Sequence, residues 1–169
     1  MRKGLCSISV LGLVLVSCAG GQPTSINGWV WHDLCDSGQD GEAPPPSPLE
    51  GCVSEASAIG PYRADGIRQP EEPLLAGVVV RLGQGACPSF GRSEAVTVVT
   101  DVSYTFVGLQ PGTYCVSIDP QVESNLAILQ PGIWTFPEVS ESFVMTTVTV
   151  QTGESRFEVD FGWDHQFLP

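Results

Sequence analysis

The sequence predicts an all-β fold: a seven-stranded β-sandwich with two long irregular loop segments. Seven short segments rich in Val, Thr and aromatic residues recur between Gly, Pro and Asp turns. No stretch carries the 3.6-residue period of an amphipathic helix. The length, 169 residues, is enough for one hydrophobic core once the start of the chain is set aside. Short strands in a single such domain argue a sandwich.

The start is of a different kind. Arg2 and Lys3 precede an apolar run from Leu5 to Val16. That run is shorter than the roughly 18–20 residues a bilayer crossing needs, so residues 1–17 read as a secretory signal. Leu15-Val16-Ser17-Cys18 resembles a bacterial lipobox, in which the cysteine, here Cys18, becomes the acylated first residue. The expected organisation is a signal over 1–17, a lipidated tether over 18–25, one domain over 26–164 and a tail over 165–169. The expected location is the cell surface or outer membrane, with lipid as the sole membrane contact. Ala19, which is not acidic, favours the outer membrane in a two-membrane bacterium.

Removing residues 1–17 takes away Arg2 and Lys3 and moves the net charge from −12 to −14. The cations left are Arg63, Arg68, Arg81, Arg92 and Arg156, with no lysine among them. A surface this acidic repels nucleic acid and anionic headgroups and suits solubility or cation binding.

After Cys6 and Cys18, four cysteines remain: Cys35, Cys52, Cys87 and Cys115. An even number in an exported chain reads as two disulfides, with three connectivities open. Sequential pairing, Cys35–Cys52 and Cys87–Cys115, is the expectation. Zinc is the weaker reading, because no Cys-x-x-Cys pair exists and His32 and His165 are the only histidines.

Taken in order, Ile26 to Asp33 alternates and opens the sheet, with Trp29 and Trp31 two apart on one face. Residues 34–64 hold Pro44-Pro-Pro-Ser-Pro48 and several acids, a composition that forms no ladder and that a Cys35–Cys52 bridge would close. Strands follow over Gly77–Gly83, Ala95–Thr100, Tyr104–Val107 and Thr113–Ile118. Residues 120–142 contain Pro120, Pro131 and Pro137, yet have enough apolar residues to pack onto a sheet. Phe143–Val150 and Arg156–Phe161 complete the strands.

Several of these strings, taken together, resemble the SdrD B-like domains, relatives of the Cna B-type and prealbumin-like modules of bacterial surfaces. Asn27-Gly-Trp-Val-Trp-His-Asp33 looks like their opening G-x-V-W-x-D. Residues 65–82, from Asp65-Gly-Ile-Arg-Gln-Pro to Gly77-Val-Val-Val-Arg-Leu82, resemble the next block. Thr100-Asp101 with Tyr104-Thr-Phe-Val-Gly-Leu-Gln-Pro-Gly-Thr-Tyr-Cys-Val116 resembles the third, and Val159-Asp-Phe-Gly162 the last strand. The resemblance spans about 27–164. It implies a seven-stranded prealbumin-like sandwich and a calcium site of EF-hand type, with oxygen ligands near loop positions 1, 3, 5, 7, 9 and 12 and glycine at 6.

Carried over residue by residue, the resemblance puts Asp33 at position 1, Asp65 at 5, Gly66 at 6, the Ile67 carbonyl at 7, Gln69 at 9 and Glu72 at 12. Here 31 residues separate Asp33 from Asp65, so the loop is split by the insertion. Gln69 replaces the usual carboxylate, and Asp36, Asp40 or Glu42 are available to supply the missing ligand. The plain alternative is a solvated acidic loop whose charge Arg63 and Arg68 offset. The isopeptide bond of many Cna B-type modules needs a lysine, which the exported chain lacks.

Catalysis is not expected. Asp164-His165 and His32-Asp33 pair a carboxylate with an imidazole only as chain neighbours, which point to opposite faces of a strand. No serine lies in a Gly-x-Ser-x-Gly elbow. The expected function is a lipid-anchored structural or adhesive module stabilised by calcium. The alternative is a carbohydrate- or protein-binding subunit of an envelope assembly, with a surface protein or polysaccharide as partner. Trp134 is the expected exposed contact for such a ligand.

Overall fold

The computed structural model describes residues 23–35, 46–54, 62–89, 93–96, 103–139 and 142–165. The signal, Cys18, most of the tether, Asp36, Asp40, Glu42, residues 97–100 of the third expected strand, Asp101, Val102 and residues 166–169 lie outside them.

The core forms because alternating apolar residues on two sheets face each other. β1 (Ser25–His32) sends Ile26 and Val30 inward, both fully buried. It pairs antiparallel with β6 (Ser103–Val107), whose Tyr104 and Phe106 point the same way. On its other edge β1 runs parallel to β10 (Ser155–Arg156) and to β11 (Phe161–His165). β8 (Gly132–Phe136) closes this sheet against β11.

The opposing sheet has the order β5 (Ser93–Val96), β4 (Val79–Gln84), β7 (Gly112–Ile118), β9 (Val144–Val150), all antiparallel neighbours. Its Val80, Leu82, Val116, Ile118, Val144 and Val150 meet Ile26, Val30, Phe161 and Trp163 in one cluster. Each such side chain contributes about 1.5–3 kcal/mol by leaving water. The architecture is an all-β sandwich. Eleven strand segments are present among the described residues, several of only two or three residues.

Three expectations are corrected. Residues 120–142 are not irregular throughout: they hold a short helix, α1 (Glu123–Leu129), and β8. Asn125 ties that helix to the sheet. Its Oδ1 accepts the Val79 N–H at 2.8 Å, and its Nδ2 donates to the Val79 carbonyl at 3.1 Å. The final strand is not Arg156–Phe161; the ladder breaks after Arg156 and resumes at Phe161. The 34–64 insertion contains a small hairpin of β2 (Cys52–Ser54) and β3 (Tyr62–Ala64).

Disulfides join Cys35 to Cys52 and Cys87 to Cys115, the sequential connectivity. Bridges of this kind persist in oxidising compartments outside the cytoplasm. Among the described residues no helix is long and apolar enough to cross a membrane.

Candidate functional site

Two places on the sandwich gather polar chemistry, and β1 feeds both. The first begins where β1 ends. Asp33 follows the strand directly, with its N–H bonded to the Trp163 carbonyl at 2.9 Å and its side chain wholly buried. The hairpin and the Cys35–Cys52 bridge bring the chain back, so that Asp65 donates its N–H to the Gly51 carbonyl at 3.0 Å. Asp33, Asp65, Gln69 and Glu72 are thereby assembled across the insertion.

The hydrogen bonds define the loop. Gly66 N–H donates to Asp33 Oδ2 at 2.8 Å, and Ile67 N–H to Asp65 Oδ1 at 2.7 Å. Glu72 spans the loop: its Oε1 accepts the Leu34 N–H and its Oε2 the Gln69 N–H, both at 2.8 Å. Gln69 Nε2 donates to the Asp65 carboxylate at 3.1 Å. Gly66 has a φ of +77°, and a Cβ there would sit 2.8 Å from the Thr135 carbonyl, so the turn requires glycine.

Electrostatically the loop is under load. Burial pushes the Asp33 carboxyl above its ordinary range, against the pull of the Thr135 hydroxyl and the Gly66 N–H, and the Asp65 charge adds to the rise. Burial raises Glu72 as well, opposed by the Leu34 and Gln69 N–H groups and reinforced by Asp33. Among the described residues three buried oxygens here, Asp33 Oδ1, Gln69 Oε1 and Thr135 Oγ1, lack a partner at full hydrogen-bond geometry, although the Thr135 hydroxyl and the Glu72 carboxyl both act on the Asp33 carboxyl. Unpaired buried oxygens are expensive unless something satisfies them. Oxygen acceptors left without partners are groups that a hard divalent cation satisfies. Among the described residues no three or more His, Cys, Asp or Glu side chains are grouped so as to hold a metal ion, so Asp33, Asp65 and Glu72 do not form a ready-made cluster. The Ile67 side chain itself is exposed.

The second place is the outer face of β1 and β6. Along β1's other edge the chain from Ser155 bows away over Phe157–Asp160 before pairing again at Phe161. Gly28 permits this: a Cβ there would overlap the Val159 carbonyl, which instead accepts a bond from the buried Tyr104 hydroxyl. Val159 N–H returns to the Asn27 carbonyl at 3.2 Å, while Trp29 N–H is taken by the Asp160 side chain at 2.8 Å. Glu158 holds a φ of +62° within the bow, an uncommon conformation for a residue with a Cβ.

The bow walls a cleft of about 520 Å³. Asn27, Trp29, Ser103 and Thr105 form its floor; Phe157, Glu158 and Asp160 form its side. Trp29 is 37 % exposed and Phe157 63 %. The Arg68 guanidinium lies 4.8 Å over the Trp29 ring. Burial raises the Asp160 carboxyl, which the Trp29 N–H and Arg68 pull the other way.

Trp134, the expected ligand contact, is corrected: it is buried in β8, packs edge-on against Trp163 with ring centroids 4.6 Å apart, and donates its indole N–H to the Ser142 carbonyl. Trp31 shares a face with Trp29 but is buried, its ring tilted against Phe136 with centroids 5.7 Å apart. Trp29 is thus the exposed tryptophan. Phe157 was missed because Arg156–Phe161 reads as a plain strand. His32 and His165 meet edge-to-face at 4.6 Å, and burial followed by the neighbouring His165 charge lowers His32 to about 4.

No family model and no curated protein matches the chain. Among solved structures it is similar to a Pseudomonas aeruginosa protein named as a candidate carbohydrate binding protein, at 14 % identity and a TM-score of 0.35, covering 83 % of this chain and 88 % of that one. A likeness so distant carries no argument about fold or site.

Proposed function

We propose that this chain is an exported, lipid-anchored, non-catalytic cell-surface module of the SdrD B-like kind, with a prealbumin-like sandwich stiffened by calcium and serving a structural or adhesive role. The observation that carries the calcium part is the loop at Asp33: a wholly buried carboxylate with one oxygen bonded to Gly66 N–H and the other left without a partner. Asp33, Asp65 and Glu72 with Gln69 Oε1 and the Ile67 carbonyl are the oxygens that would hold the ion. A bound divalent cation neutralises carboxylates that burial otherwise penalises. The two disulfides restrain the insertion and the β4–β7 region covalently, and a stiff, stapled domain on a short tether suits display on a surface.

The second reading, a carbohydrate- or protein-binding subunit of an envelope assembly, is favoured by the open aromatic cleft at Trp29 and Phe157. Thermal unfolding in EDTA and then in calcium tests the first reading. A ligand that binds only the folded state with a Kd near 10 µM adds about 2.7 kcal/mol at about 1 mM. A rise with calcium and little with magnesium is expected. An unchanged midpoint reduces the acidic segment to a solvated loop.

A further inference from the structure

We infer that the cleft between the β1–β6 face and the Phe157–Asp160 bow is a saccharide-binding site that takes pyranose rings against Trp29 and Phe157. The inference deepens the binding reading and rests on it.

The volume, about 520 Å³, falls within the range of small-ligand sites. Its chemistry is split in the manner of a sugar, which presents an apolar C–H face and a rim of hydroxyls. Trp29 and Phe157 offer exposed ring surface. The Asn27 amide oxygen and the Ser103 and Thr105 hydroxyls lie on the floor beside them, the Asn27 Nδ2 being committed to Ser25 and the Arg156 carbonyl, and the carboxylates of Glu158 and Asp160 line the side as acceptors. Sheet geometry fixes this floor: Asn27 pairs with Thr105 and Trp29 with Ser103, so all four side chains leave the same face.

The alternative occupant of an aromatic, acidic cleft is an organic cation. Here the protein's own Arg68 already fills that role, stacked over Trp29 and offsetting Asp160. What lines the cleft besides is ring surface, hydroxyl and amide oxygens and the Glu158 carboxylate, acceptors that suit the hydroxyls of a sugar. The site also extends. A second depression of about 180 Å³ shares Glu158 and Asp160 with the cleft and runs on to Phe136 and the outward threonines Thr147 and Thr149. A path with aromatic surface at both ends suits a chain of sugars better than a single ring.

The backbone supports a site as well. Glu158 sits in the left-handed region, and residues held there cost of order 1–3 kcal/mol and cluster at ligand sites. The strand interruption that builds the wall is a bulge-like departure, a feature over-represented beside functional sites.

Trp29 is a built-in reporter, since Trp31, Trp134 and Trp163 are only 2 %, 4 % and 1 % exposed. Purified exported protein is titrated with cellohexaose, chitohexaose and maltohexaose, and with tetramethylammonium as the cationic probe, following acrylamide quenching of emission and calorimetric heat. Saturable protection by at least one hexasaccharide is expected. Phe157→Ala, at an exposed position, is expected to weaken it about tenfold with an unchanged melting midpoint. No heat or protection from any hexasaccharide at millimolar concentration overturns the inference, as does binding that survives Phe157→Ala undiminished. Protection by tetramethylammonium alone overturns the saccharide assignment and leaves a binding cleft of another chemistry.

Discussion

Replacing Asp33 separates the buried charge from the buried hydrogen bond. In the wild-type protein one carboxylate oxygen holds Gly66 N–H at 2.8 Å, the other has no partner, and burial pushes the group toward its protonated form. Asp33→Asn keeps an acceptor for Gly66 and brings an amide N–H toward the unpaired Thr135 hydroxyl. Asp33→Ala strips the Gly66 N–H of its acceptor, a loss of about 1–3 kcal/mol. For a chain of this size each kcal/mol moves the melting midpoint by about 2–4 °C.

In EDTA at neutral pH the Asn variant is therefore expected to melt at or above wild type, and the Ala variant below it. In about 1 mM calcium, wild type rises by roughly 5–11 °C if its Kd is near 10 µM, and both variants stay where they were. The order of wild type and Asp33→Asn thus inverts on adding calcium. The pH response carries the same sign logic. A carboxyl raised in the folded state contributes stability that is present below its unfolded value and lost as pH rises through the folded one. Wild type in EDTA then loses this contribution from acid toward neutral pH, and Asp33→Asn lacks it. Calorimetry in both buffers decides the matter. A full calcium gain retained in Asp33→Asn refutes the ligand role.

Gly28→Ala drives a Cβ into the Val159 carbonyl and is expected to destabilise by about 3 kcal/mol or more, while raising acrylamide quenching of Trp29 as the wall detaches. His32 titrates at about 4 in the fold against 6.5 in the open chain, so stability is expected to fall as pH drops through that window; His32→Gln flattens the slope in a pH series of urea midpoints. Converting Cys87 and Cys115 to serine reopens a loop of 28 residues and is expected to remove about 3.5 kcal/mol, with peptide mapping of the non-reduced parent giving only the Cys35–Cys52 and Cys87–Cys115 linkages.

Strands whose apolar positions alternate against a single core were legible in the sequence: β1, β4, β6, β7 and β9 overlap expected segments with ends that differ by one or two residues. The bow at Phe157–Asp160 was not, because Arg156 to Phe161 alternates as a strand should. What breaks its ladder lies elsewhere in the chain, in the missing Cβ of Gly28, the hydroxyl of Tyr104 and the capture of Trp29 N–H by Asp160. The same nonlocality hides α1, a seven-residue helix too short to display a period and held by Asn125. β8 lies between Pro131 and Pro137 and reads as loop, although proline is tolerated at strand ends. Trp134 followed that error into the expected surface. Asp33 and Glu72 were placed by family resemblance; their burial, and the unpaired oxygen of Asp33, are properties only of the folded loop.

Arg68 belongs to both places at once. It lies on the acid loop between Ile67 and Gln69, and its guanidinium covers one face of Trp29. With an ion in the loop and a glycan in the cleft, the two ligands would share that side chain as a common lever. Coupling of this kind is reciprocal: whatever factor calcium adds to glycan affinity, glycan adds to calcium affinity. Adhesion would then follow the mineral content of the medium, and Arg68→Ala would uncouple the pair while leaving each ligand its own contacts.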